Sequence, residues 1–138
     1  MTMAPDILIQ EVAPRDGLQI ESRWVETGDK IRLIDSLSAI GFTRIEVSSF
    51  VSPKAVPALR DAEEVFAGIA RSPGTVYTAL VPNRKGAELA LAARADELRL
   101  KNTATGADAR IVTAGAATGL VTAAREPDEV ARRSGIEP

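Results

Sequence analysis

The chain contains no histidine and no cysteine. Without cysteine there is no disulfide framework, no thiolate nucleophile and no cysteine-ligated zinc. Without histidine a Ser-His-Asp triad is excluded. Long hydrophobic runs are missing as well, the longest being far too short to span a bilayer, so no membrane partner is expected. The start, MTMAPDILIQ, lacks the basic and apolar regions of a secretion signal and is not an Arg-rich transit sequence, which makes the cytoplasm the expected location. A net charge of −2 is too close to neutral to suggest nucleic acid or an anionic membrane surface. There is no G-x-G-x-x-G and no Walker-type loop, so nucleotide binding has no motif behind it.

What remains is an ordinary globular composition, with 138 residues, 45% apolar and 26% charged, enough for one domain with a modest core. Up to residue 101 two patterns alternate. Residues 7–12 form a short strand-like run. Residues 26–40 have helical spacing, with Ile31, Ile34, Leu37 and Ile40 on one face, Thr27 as N-cap and Gly41 as C′ residue. Residues 43–48, TRIEVS, are the next strand. Residues 56–70 are helical again, with Leu59, Ala62, Phe66 and Ile69 on a stripe ended by Ser72-Pro73-Gly74. Residues 75–81 are a third strand, 84–95 an Ala-rich helix and 97–100 the start of a fourth strand. Strands alternating with single helices predict βα units and a parallel sheet in an α/β fold. Residues 102–138 change character. Their first part, through residue 125, is dominated by Ala, Thr and Gly, with little bulk for a core, and the whole segment is expected to be a weakly structured tail or a foreign end. The alternative is two further short βα elements of low hydrophobicity.

The chemistry concentrates in residues 11–21, EVAPRDGLQIE, where Arg15 and Asp16 stand side by side after the first strand and before Gly17, a residue that permits a tight turn. In parallel α/β proteins ligands bind at the carboxyl ends of the strands. Read locally, the pair is equally a solvated surface ion pair of little worth. Glu46 shifts the balance. It lies between Ile45 and Val47 in a strand that reads as buried, and alternation turns it with Ser48 away from the covering helices. A buried carboxylate needs a partner, and Arg15 is the nearest candidate. An edge position in contact with water is the other reading. Ser48, Ser49 and Ser52 make a hydroxyl-rich exit from this strand, suited to substrate oxygens or to capping the next helix. Lys54 is a lone loop lysine that could meet an anion or simply be solvated. Asn83 after the third strand reads best as an N-cap, and Lys101 and Asn102 are too weakly placed to assign.

Four blocks, EVAPRDGLQIE, KIRLIDSLSAIG, IEVSSFVSPKAVPALRDAEEV and ALVPNRKGAELALAARADEL, together resemble the hydroxymethylglutaryl-CoA lyases, metal-dependent enzymes on a TIM barrel. The resemblance covers about residues 5 to 100. The Arg-Asp-Gly block is shared with isopropylmalate, homocitrate and citramalate synthases, whereas SFVSPK followed by Val-Pro points to the lyases. The resemblance implies a partial (β/α)8 TIM barrel of three to four βα units over residues 1–101, followed by the tail over 102–138. It implies retro-Claisen cleavage of 3-hydroxy-3-methylglutaryl-CoA to acetyl-CoA and acetoacetate, as in leucine degradation, with an acyl-CoA substrate and a divalent metal, Mg²⁺ or Mn²⁺. It assigns Asp16 as the metal carboxylate, Arg15 as the residue that stabilises the enolate oxygen, Glu46 as the catalytic-site acid beside that arginine, and Gln19 and Ser49 as polar residues at the substrate end. Ile20 stands where the family usually has Asn.

The family's His-x-His ligands, its Asn ligand and its catalytic cysteine lie later in its sequence and have no counterpart in this one. The chain is therefore expected to be the N-terminal part of such a lyase. Two other expectations compete: a non-catalytic half-barrel, and a Claisen-type synthase making a 2-alkylmalate. With Asp16 as the sole metal ligand, cation binding is expected to be weak. Open sheet edges on a half-barrel also suggest self-association.

Overall fold

The computed structural model describes residues 7, 9–101, 108–113 and 115. Its centre is a four-stranded sheet in the order β1-β2-β3-β4, with β1 at Arg44–Ser49, β2 at Val76–Val81, β3 at Glu97–Lys101 and β4 at Asp108–Thr113. The pairs β1·β2 and β2·β3 are parallel, as βα alternation requires. The pair β3·β4 is antiparallel, which departs from the all-parallel expectation. The tail expected over 102–138 lies mostly outside the described residues, but its described part includes this strand.

The first predicted strand is reduced to a single parallel bridge between Glu11 and Ile45. Glu11 N–H donates to the Arg44 carbonyl at 3.0 Å, and Glu46 N–H donates to the Glu11 carbonyl at 2.8 Å. Ile7 and Ile9, at the start of that run, are 77% and 68% exposed.

Helix α1, Thr27–Ala39, lays Ile34 wholly into the core, with Ile31 and Leu37 packed against its edge. Burying such a side chain contributes about 1.5–3 kcal/mol. Ile40, expected on the same stripe, is 73% exposed. Steps of three residues lag the 3.6-residue turn, so a residue nine positions beyond Ile31 has drifted to the opposite side of the helix. The inward face instead includes Lys30 and Ser38, both buried. Thr27 is the first helical residue rather than the cap, and its hydroxyl donates to Asp61 Oδ2 at 2.7 Å. Gly41 ends the helix at φ +102°, with Phe42 N–H reaching back to the Leu37 carbonyl.

The helix predicted over 56–70 is broken into a 3₁₀ turn, Pro57–Leu59, and α2, Ala62–Gly68. Its apolar stripe survives the break, for Leu59, Ala62, Phe66 and Ile69 are all buried. The break falls at Asp61, whose carboxylate is drawn to α1 by Lys30 and Thr27. Helix α3, Arg84–Ala92, is capped by Asn83, which accepts from Gly86 N–H at 2.9 Å. Among the described residues no helix is long and apolar enough to cross a membrane.

The strands alternate between two environments. Ile45, Val47, Tyr77, Ala79, Val81, Leu98 and Leu100 join the helices in one apolar core. The opposite face is polar. Arg44 pairs there with Glu97 across β2, and the same face carries Glu46, Thr78 and Arg99.

Candidate active site

The backbone leaves the Glu11 bridge and closes at once into a short π-helical turn, Ala13–Gly17, with buried Pro14 in its first positions. Asp16 N–H donates to the Val12 carbonyl at 2.7 Å, and Arg15 N–H to the same oxygen at 3.1 Å. Such turns bunch consecutive side chains at one point and recur at functional sites. Gly17, read from sequence as the enabler of a tight turn, has no left-handed φ, and a Cβ there would meet only ordinary contact with Ala13 at 3.7 Å.

From this turn Arg15 reaches over the polar face of the sheet. Its Nε donates to Glu46 Oε1, while Nη1 lies 3.1 Å from Asp16 Oδ1 and 3.3 Å from Gln19 Oε1. Glu46 is 0% exposed. Its other oxygen accepts from Arg99 Nη1 at 3.3 Å and from Gln10 Nε2 at 3.5 Å, and Gln10 also donates to the Thr78 hydroxyl. The buried carboxylate is thus shared between two guanidiniums, and Arg15 links it to the mouth of the site.

Of the residues singled out from sequence, Arg15, Asp16, Gln19 and Glu46 form one connected group. Asp16 is at its exposed end, with 63% of its side chain accessible. Ser49 stands apart from the group: it is buried and donates its hydroxyl to the Leu80 carbonyl at 3.1 Å. Ser52 accepts from Lys54 N–H at 3.3 Å within its own loop. Gln10 and Arg99 are participants that sequence reasoning passed over. The alternation of Glu97-Leu98-Arg99-Leu100 carries the signal for Arg99, since it turns Glu97 and Arg99 to the face that Glu46 occupies.

Beside Gln19 opens a cleft of about 420 Å³, lined among others by Arg23, Trp24, Val56 and Arg60. The Trp24 ring is flanked by two cations, Arg60 at 3.8 Å and Lys30 at 4.1 Å from its centre. Among the described residues no group of three or more His, Cys, Asp or Glu comes together to hold a metal.

The sequence model of one protein family, described as HMGL-like, matches residues 6–136, nearly the whole chain. The chain belongs to the HMGL-like family. The match runs past residue 101 through the compositionally distinct segment. The HMGL-like family is generally dependent on a divalent metal. A 3-hydroxy-3-isohexenylglutaryl-CoA/hydroxy-methylglutaryl-CoA lyase from Pseudomonas aeruginosa is 55% identical over 91 residues, which are 66% of this chain and 30% of that protein. Among solved structures, an HMG-CoA lyase from Acinetobacter baumannii in complex with coenzyme A and 3-methylmalate superposes with a TM-score of 0.68 at 59% identity, covering 72% of this chain and 33% of its own. The HMG-CoA lyase of Bacillus subtilis superposes with a TM-score of 0.69 at 36% identity, covering 99% of this chain and 46% of its own. These neighbours are TIM barrels, and the HMGL-like chain described here reproduces part of one. It spans about 30% of the length of the curated relative and from 33% to 46% of the solved ones.

Proposed function

We propose that this chain carries the arginine–carboxylate portion of a hydroxymethylglutaryl-CoA lyase site, for retro-Claisen cleavage of 3-hydroxy-3-methylglutaryl-CoA to acetyl-CoA and acetoacetate in leucine degradation. The observation that supports this reading is the Arg15 arrangement. Breaking the carbon–carbon bond leaves an acetyl-CoA enolate, whose oxygen needs preorganised positive charge. Arg15 is fixed on a buried anion through Nε and offers Nη1 at the mouth, beside Asp16 and Gln19. A guanidinium already held in place has little reorganisation to undergo when charge develops. Glu46 positions that arginine. The cleft beside Gln19 gives an acyl-CoA substrate a surface to lie against.

A divalent cation, Mg²⁺ or Mn²⁺, would take Asp16 as one oxygen ligand. Mg²⁺ needs about six, and Asp16 with its described neighbours does not furnish a cation site.

The second reading, a half-barrel without turnover of its own, is favoured by that same ligand shortage. The two separate in one assay: acetoacetate release from 3-hydroxy-3-methylglutaryl-CoA with Mg²⁺ present. The lyase reading expects release that falls by about 10²–10³-fold in Arg15→Met and is lost in Asp16→Asn. No release leaves the half-barrel reading standing, and release indifferent to both substitutions removes Arg15 and Asp16 from the site.

A further inference from the structure

We infer that Arg60, held over the Trp24 ring, is a phosphate-binding residue of the cleft beside Gln19, and that it takes a phosphate of the coenzyme arm when an acyl-CoA lies there. The occupant rests on the acyl-CoA reading above, the anion site on the cleft alone.

The cleft has the volume of a small-molecule site, about 420 Å³. Its wall is of two kinds. Val56, Pro57 and Ala58 give an apolar stretch suited to methylene groups. Arg23 and Arg60 bring two positive charges against the one negative charge of Glu21. Among the described residues neither arginine forms an ion pair. The carboxylate next to Arg60 in sequence does not compensate it, because Asp61 is buried and bonded to Lys30 Nζ and the Thr27 hydroxyl. Asp61 thus neutralises the cation that lies 4.1 Å from the Trp24 ring centre and leaves the one at 3.8 Å without a counter-charge.

The contacts that Arg60 makes hold it in place and leave one edge of it open. Its guanidinium lies over Trp24, and Nη1 donates to the Pro57 carbonyl at 3.4 Å. Nε and Nη2, the two donors of the side-on fork, have no partner among the described residues. Such a fork matches two oxygens of a phosphate. A guanidinium already held on an aromatic ring gives up less rotamer freedom on binding than a free one. Gln19 joins this cleft to the mouth, for it lines the one and accepts from Arg15 Nη1 at the other. A thioester placed at Arg15 therefore has the cleft as a path for its arm, an uncharged chain of amides and methylenes that ends in phosphates.

Trp24 is the single tryptophan of the chain, so its emission reports on this cleft. In titrations of the full chain at constant ionic strength, CoA is expected to shift that emission and to bind about tenfold or more tightly than pantetheine, the same arm without phosphates. Arg60→Gln is expected to remove this margin, weakening CoA about tenfold and leaving pantetheine where it was. Arg32→Gln, which removes an exposed arginine of α1, should leave both affinities unchanged. Calorimetry gives the same constants independently of any change that Arg60→Gln makes to the emission itself. CoA affinity unaltered in Arg60→Gln, or lowered equally in Arg32→Gln, would overturn the inference and leave the acyl-CoA reading intact. Inorganic pyrophosphate separates the anion site from its occupant. Pyrophosphate binding that is lost in Arg60→Gln, with CoA silent, would count against the acyl-CoA reading alone. Silence from both ligands would overturn the inference. No arm depends on turnover, so the absence of acetoacetate release has no bearing on the outcome.

Discussion

Lys30 Nζ lies 2.6 Å from Asp61 Oδ1, joining the first turn of α1 to the residue that precedes α2. Both side chains are nearly closed to water, at 4% and 8% accessibility. The ammonium donates also to the Ala58 carbonyl at 2.7 Å, and the other carboxylate oxygen takes the Thr27 hydroxyl. The pair is thus fully bonded on both sides, which is the condition under which a buried ion pair is tolerated.

Asp61→Ala is expected to cost about 3–5 kcal/mol, because it strands a buried ammonium. Replacing both partners, as Lys30→Met with Asp61→Leu, should recover most of that loss. Urea unfolding of the three proteins checks the pattern. A double variant no more stable than the single one would contradict it.

Glu46→Gln leaves two guanidiniums facing a neutral amide. The expected loss is about 3–5 kcal/mol, together with any acetoacetate release the chain shows. A circular-dichroism melt gives the first quantity and the coupled assay the second. Unchanged stability would mean that the carboxylate is not the anchor of Arg15.

Arg94 holds φ +62° at the end of α3, where a glycine would sit without strain. Arg94→Gly should therefore stabilise the chain by about 0.5–1 kcal/mol. Its guanidinium takes part in none of the contacts described above, so the backbone term is expected to dominate. A fall in melting temperature would refute this.

Gly86 faces the opposite demand. A Cβ there would come within 2.7 Å of the Phe50 carbonyl oxygen and 2.9 Å of Pro82 Cδ, both part of stiff backbone or ring. Gly86→Ala should cost about 1–3 kcal/mol by pushing α3 off the end of β1. A fully native melt would show that the helix can shift at no cost.

Much of this architecture was legible in the sequence because period and composition agreed. TRIEVS and TVYTALV announce their strands by alternation, and the same alternation turned Glu46 inward toward Arg15. Gly41 and Asn83 marked helix ends through chemistry that only they supply. Three things resisted. Lys30 reads as a solvated helix residue, since nothing local says that Asp61 waits across a broken helix. Arg99 is hidden because four residues are too few for alternation to say which face of a strand meets a buried carboxylate two strands away. Strand β4 sits in an Ala-, Thr- and Gly-rich segment whose letters carry almost no period, so its pairing arises from the edge that β3 offers rather than from a pattern of its own.

That pairing has a consequence for complementation. β4 runs against β3 and takes up the margin where a right-handed crossover would deliver the next co-directional strand. A separate polypeptide bringing the later staves of a relative's barrel would have to peel β4 away or add beside the Glu11 bridge, at the far margin of the sheet.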